Sequence, residues 1–174
     1  MRSKFKNLFL RYLKWAFLSG VSGLLAGIAA AIFLISLEWA TNTRDRNAII
    51  IWALPIAGFL VGWIYHRWGK DAGRGHNLIL DEIHDPKNIV PIRMAPLVLG
   101  GTLITHLFGG SAGREGTAVQ MGASLSDQIS RFFNIEIDER KILLAAGAGA
   151  GFGAAIRTPW AGGIFGLGVI NVGR

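Results

Sequence analysis

Uncharged apolar runs alternate with short polar breaks along the chain, and the length of each run predicts what it forms. Residues 15–37 carry no charge. Since about 20 helical residues span a hydrocarbon core of ~30 Å, this run predicts a membrane crossing. Gly20, Gly23, Gly27 and Ala30 recur on one face of it, which predicts close packing against a neighbouring helix, and Trp39 falls where an interfacial aromatic belt is expected. Residues 41–47 read as a polar loop, and residues 48–65 as a second crossing that ends in His66-Arg67-Trp68-Gly69-Lys70. The most polar stretch, 70–91, holds Gly73 and Gly75 ahead of a short apolar run. That pattern predicts a loop entering a short helix that dips back into the protein without crossing. A third apolar segment covers 94–108 and carries His106, read as an interior histidine with no assigned role. After a further helix at 117–133 and a charged loop at 138–141, residues 142–166 are rich in small side chains. Gly147/Gly151 and Gly149/Gly153 sit four apart. These last segments are short for full crossings, so tilted or broken helices are expected around Arg157 and Pro159.

Composition supports a membrane protein. The 174 residues are 51% hydrophobic and 17% charged, with 24 Gly, whereas soluble domains average roughly 25% charged and about 7% Gly. A net charge of +7 raises nucleic acid as a partner, but Arg2, Lys4, Lys6, Arg11 and Lys14 crowd the first fourteen positions with no acid among them. A basic flank before a long apolar run is the positive-inside pattern, not a DNA-binding face. Residues 1–14 therefore predict an amphipathic segment on the cytoplasmic membrane surface, with the N-terminus inside and the lipid bilayer as a partner. A cleaved signal peptide is not expected, because its apolar core would be only ~7–15 residues long. No cysteine is present, which excludes disulfides, thiolate metal sites and cysteine nucleophiles. His84 and Asp85 lack a partnered spacing and read as a solvated loop, so no metal or other cofactor is expected. Gly149, Gly151 and Ala154 fit a dinucleotide-binding G-x-G-x-x-A, yet no acidic residue follows Ala154, and that fingerprint needs one about 20 positions on. An enzyme is not expected.

The chemistry concentrates in Gly109-Gly110-Ser111-Ala112-Gly113-Arg114-Glu115-Gly116-Thr117-Ala118-Val119-Gln120-Met121-Gly122-Ala123. Glu115 falls where a helix should begin between two apolar segments. Backbone N–H groups at a helix start have no intrahelical partner and carry the positive end of the macrodipole, so they form an anion site. Flanking glycines bring those amides close to whatever is bound. There, Glu115 would act as a tethered anion, occupying the site when ionised and leaving it when protonated. The competing reading is a surface glutamate that pairs with Arg114 or caps the helix.

Gly113-Arg114-Glu115-Gly116-Thr117-Ala118-Val119-Gln120-Met121-Gly122 closely resembles the G-[KR]-E-G-P-x-V-Q-x-G signature of the CLC family of chloride channels and anion/proton antiporters. Pro159-Trp160-Ala161-Gly162, after the small-residue helix, resembles that family's following block. The resemblance implies an all-α membrane fold, the first inverted-repeat half of a CLC-type transporter with tilted, broken and re-entrant helices. Residues 1–174 would form that half, with 1–14 cytoplasmic, 15–174 in membrane helices and the second repeat absent. It implies transport of a halide, fluoride or chloride, exchanged for protons in the family's manner, and a homodimer in the cell's inner (plasma) membrane. Glu115 would be the gating and proton-coupling residue. Arg74, Gly75, His76, Asn77, Gly113, Arg114, Gly116 and Thr117 would line the anion path. Either Arg74 or His76 replaces the usual serine of the first anion-binding loop, and Thr117 replaces the usual proline. Both departures are similar to the fluoride/proton antiporter branch. Gly168 and Val169 stand where chloride/proton antiporters carry paired glutamates, which argues against the ordinary chloride/proton route. The alternative expectation is a non-transporting membrane fragment or interaction subunit without a complete pore.

Overall fold

The computed structural model describes residues 2–171, with side chains at position 6 and from 8 onward. The amphipathic face expected for residues 1–14 is therefore described only at Lys6 and residues 8–14, all of them exposed. Helix α1 spans Arg2–Arg46, α2 Leu54–Ile64, α3 His76–His84, α4 Met94–Leu107, α5 Arg114–Phe132, α6 Ile137–Ala155 and α7 Pro159–Asn171. No strand occurs among the described residues.

α1 runs for 45 residues without a break, about 67 Å at 1.5 Å per residue, more than twice a ~30 Å hydrocarbon core. Residues 41–47 continue this helix to Arg46 instead of forming the expected loop. Thr43 Oγ1 donates back to the Trp39 carbonyl at 2.7 Å, satisfying its hydroxyl within the helix. Asn47, at φ −133°, ends the helix, and its side-chain amide donates to the Thr43 carbonyl at 3.1 Å. The chain then forms a 3₁₀ turn over Ala48–Ala53 before Pro55 opens α2.

The buried face of α1 is Leu18, Ser22, Ala26, Ala30, Phe33, Leu37 and Ala40, spaced by three or four as one helical stripe requires. It lies against α4, α5 and α6. Of the four small residues expected to pack, Ala30 lies on this stripe, whereas Gly20, Gly23 and Gly27 fall off it, and a Cβ added at any of these three meets nothing within 4 Å. The close packing expected there occurs instead on α6. One face of that helix presents Gly147 and Gly151 to α5, where added Cβ atoms would strike Ser126 and the Ala118 carbonyl; the other presents Gly149 and Gly153 to Gly162 of α7. Gly repeats at four-residue spacing bring both neighbours to backbone contact. Ser22 and Ser126 hydrogen-bond where α1 meets α5.

Three helices stop on a residue in the left-handed region: Gly109 (φ 84°), Asn134 (φ 49°) and Arg157 (φ 57°). After each, the next N–H reaches back across the last turn: Gly110 to Thr105 at 2.8 Å, Ile135 to Ser130 at 2.9 Å, and Thr158 to Gly153 at 2.9 Å. These bonds satisfy end carbonyls that a helix leaves unpaired. The break at residues 156–158 thus lies where Arg157 and Pro159 predicted it. Residues 138–141, expected as a loop, form the first turn of α6, with Asp138 and Glu139 at its positive end.

Candidate anion site

Gly113 is the N-cap of α5 and provides no side-chain cap. Arg114, Glu115 and Gly116 follow as the first turn, so their amides are left without helical partners. α3 starts in the same way, on Gly75 at φ 58° and ψ −129°, again without a side-chain cap. This conformation is open to glycine and strained for other residues. Both starts open on one cavity of about 340 Å³, lined by Tyr65, Gly73, Gly75, Gly101, Thr102, Gly113, Thr117 and Gln120 among others. Across it, the position of a Gly75 Cβ lies 3.8 Å from the Gln120 side-chain oxygen.

Hydroxyl bonds fix the wall. Thr117 Oγ1 donates to the Gly113 carbonyl at 3.0 Å and shares a 2.7 Å hydrogen bond with Thr102 Oγ1 on α4. Thr105 Oγ1 donates to the Gly101 carbonyl at 2.7 Å. His106 reaches the Thr102 carbonyl through Nδ1 at 3.0 Å, so it is held within α4.

The expected site residues divide into two groups. Gly75, Gly113 and Thr117 come together on the cavity. Glu115 stands in the first turn of α5, its side chain half-exposed, with Oε1 3.4 Å from Arg114 Nε. Gly116, beside it, is half-buried. Arg74 is turned to Asp81 in an exposed ion pair, His76 is half-buried and Asn77 exposed. None of these six lines the cavity. Gly168 is exposed on α7 and Val169 is buried. His84 Nδ1 lies 2.8 Å from the Leu80 carbonyl.

Tyr65, Thr102 and Gln120 were not singled out from the sequence as lining residues. Tyr65 begins a π-helical turn, Tyr65–Gly69, that prolongs α2. Its position at the end of an apolar run gave no sign of which neighbour it would meet. Gln120 had a usable signal, since it lies in the glycine-rich motif four residues after Gly116.

Two helix starts without side-chain caps thus meet at one cavity whose wall mixes hydroxyl and amide groups with apolar ones such as Val61 and Val98, an arrangement that can hold an anion. The voltage gated chloride channel family model matches residues 57–172. The chain belongs to that family. It is 54% identical over 161 residues to the chloride/fluoride channel protein of Pseudomonas syringae, covering 92% of this chain and 36% of that protein. To the H(+)/Cl(-) exchange transporter ClcA of Cronobacter sakazakii it is 31% identical over 162 residues, covering 85% and 35%. Among solved structures, one described as a CLC-type fluoride/proton antiporter superposes with a TM-score of 0.89 at 32% identity, over 95% of this chain and 42% of that one. The chain therefore spans about a third of the length of the curated relatives it matches, and its fold is an all-α, CLC-like half.

Proposed function

We propose that this chain forms the first half of the anion pathway of a halide transporter, with fluoride as the favoured ion and protons moving in exchange. Glu115 is the gate in this reading. Ionised, its carboxylate takes the place of the anion at the start of α5; protonated, it withdraws and carries the proton. The observation that carries the reading is the convergence of two uncapped helix starts, those of α3 and α5, on one cavity. Fluoride is favoured because the relative at 54% identity is named a chloride/fluoride channel protein, and the structural neighbour a fluoride/proton antiporter. Thr117 after Glu-Gly agrees with that choice. The working unit is a homodimer in the inner membrane with a cytoplasmic N-terminus. Helices α1 and α2 supply long exposed apolar faces for lipid, including Ile35, Trp39, Ile56 and Phe59.

The test is anion efflux from liposomes holding the purified protein, fluoride against chloride, with proton movement followed in parallel. Glu115→Gln mimics the protonated carboxyl and is expected to keep anion movement while abolishing proton coupling. Proton exchange that survives in this variant would remove Glu115 from the mechanism.

A second reading is kept by the chain's share of its relatives' length. In it, these helices form a membrane unit that moves no ions alone. Absence of efflux from correctly inserted protein would favour it.

A further inference from the structure

Away from the cavity, three charged side chains meet in the interior. Asp127 of α5 is fully buried, and Glu82 of α3 and Arg140 of α6 are nearly so. The guanidinium holds Asp127 with both arms, Nε to Oδ1 at 2.6 Å and Nη2 to Oδ2 at 2.8 Å. It also reaches Glu82 Oε2 at 3.2 Å from Nη1. Two carboxylates facing one cation leave an excess negative charge, and backbone donors answer it. Glu82 accepts the amides of Lys87 and Asn88 at 3.0 Å, and Asp127 accepts that of Val90 at 2.6 Å. Arg140 Nη2 in turn donates to the Asn88 carbonyl at 2.6 Å. Two further bonds strap the α3–α4 connection to α5: Gln128 to the Val90 carbonyl at 2.8 Å, and Ser124 to that of Pro91 at 3.0 Å.

The connectivity gives this cluster its consequence. α3 has its start on the cavity and Glu82 in the cluster; α5 has its start on the cavity and Asp127 in the cluster. One guanidinium pins both helices at a distance from the anion site, roughly 10 Å along α3 and about 20 Å along α5. Helices are stiff, so a swing of about 5° at the pin would move the start of α5 by ~1.7 Å. Binding constellations tolerate only about 0.5 Å of such error.

The geometry points to Arg140 as a positioning residue: with Glu82 and Asp127 it fixes the spacing between the starts of α3 and α5, and through that spacing the anion selectivity of the site. The selectivity clause rests on the transport reading above; the spacing clause does not. Arginine is required because its planar fork serves Asp127 bidentately while a third nitrogen serves Glu82, a geometry that a lysine ammonium cannot reproduce.

The chain has no cysteine, so Asn77→Cys on α3 and Arg114→Cys on α5, both exposed, give the only two spin-label sites. Dipolar EPR in lipid nanodiscs then reads their separation. A narrow distribution is expected with Arg140 present, and a broad one in Arg140→Met. Arg140→Lys is expected to fall between and to carry the test if the methionine variant does not fold. A folded variant with an unchanged distribution overturns the inference. In liposomes, with the label sites left native, Arg140→Lys is expected to shift the fluoride-to-chloride efflux ratio by at least about threefold, since ~1 Å misplacements can cost far more. Broadened spacing with an unchanged ratio overturns the selectivity clause. If the unsubstituted protein passes no anion, the transport reading fails, while the EPR comparison still decides the spacing clause.

Discussion

Replacing Gly151 with alanine puts a methyl group where α5 leaves no room for one. The added Cβ would lie 2.8 Å from the Ala118 carbonyl carbon and closer still to its oxygen, with the Val119 nitrogen at 3.3 Å. The oxygen is the nearer obstacle, and carbon–oxygen contacts prefer ~3.3–3.6 Å, so α5 and α6 must part by more than about 1 Å. The obstacle is backbone, which cannot turn aside as a side chain can. A gap of that size forfeits roughly a quarter to a half of each dispersion contact along the seam. Gly122 and Gly147 share that seam, each already against backbone of the other helix. Overpacking of this kind costs about 1–3 kcal/mol. Alanine's better helix propensity offsets roughly 0.5–1 kcal/mol of this. The net loss expected is ~0–2.5 kcal/mol, towards the upper end because backbone cannot yield, a drop of up to about 10 °C in midpoint for a domain of this size. Gly27→Ala is the control, because its Cβ meets nothing within 4 Å; only the propensity gain of up to ~1 kcal/mol remains. Thermal unfolding in detergent, followed by circular dichroism or loss of monodisperse protein, compares the two. A Gly151→Ala variant that melts at or above the native midpoint would refute the backbone-contact account of the α5–α6 seam.

At the candidate site, Gly75→Ala is expected to cost about 1–3 kcal/mol through backbone strain at φ 58° and ψ −129°. The new Cβ meets Gln120 only at an ordinary 3.8 Å, so a mutant as stable as the native protein would show the turn to be relaxed; thermal unfolding reads it. Thr117→Val removes the hydroxyl that joins Thr102 to the Gly113 carbonyl. It is expected to lose ~1–3 kcal/mol by leaving a buried group unpaired, and to slow anion efflux; native stability together with native efflux would dismiss the hydroxyl bridge.

Much of the helix order was legible because it follows from local rules. The apolar run at 94–108, the glycine turn before the short α3 and the break at Arg157 and Pro159 each depend on a few adjacent residues. Glu115 belongs with these, since a charge after glycine and before an apolar segment falls at a helix start by chain order alone. Residues 41–47 and 138–141 were misread for one shared reason. Polar composition marks exposure or capping as readily as it marks a loop, and Thr43 bonded to Trp39 keeps the first stretch helical.

Sequence by itself determined the class, the membrane setting, the family signature and the position of Glu115, because composition, run length and motif order are properties of neighbouring residues. Only the tertiary structure decided which glycines serve packing, since Gly27 and Gly151 look alike until a neighbouring backbone is beside one of them. It also brought Tyr65, Thr102 and Gln120 to the cavity, and Glu82, Asp127 and Arg140 to one interior cluster across 58 residues of chain. Such groupings depend on how α3, α5 and α6 cross, and a crossing is set by the contacts of whole helix faces, which no local stretch of sequence encodes.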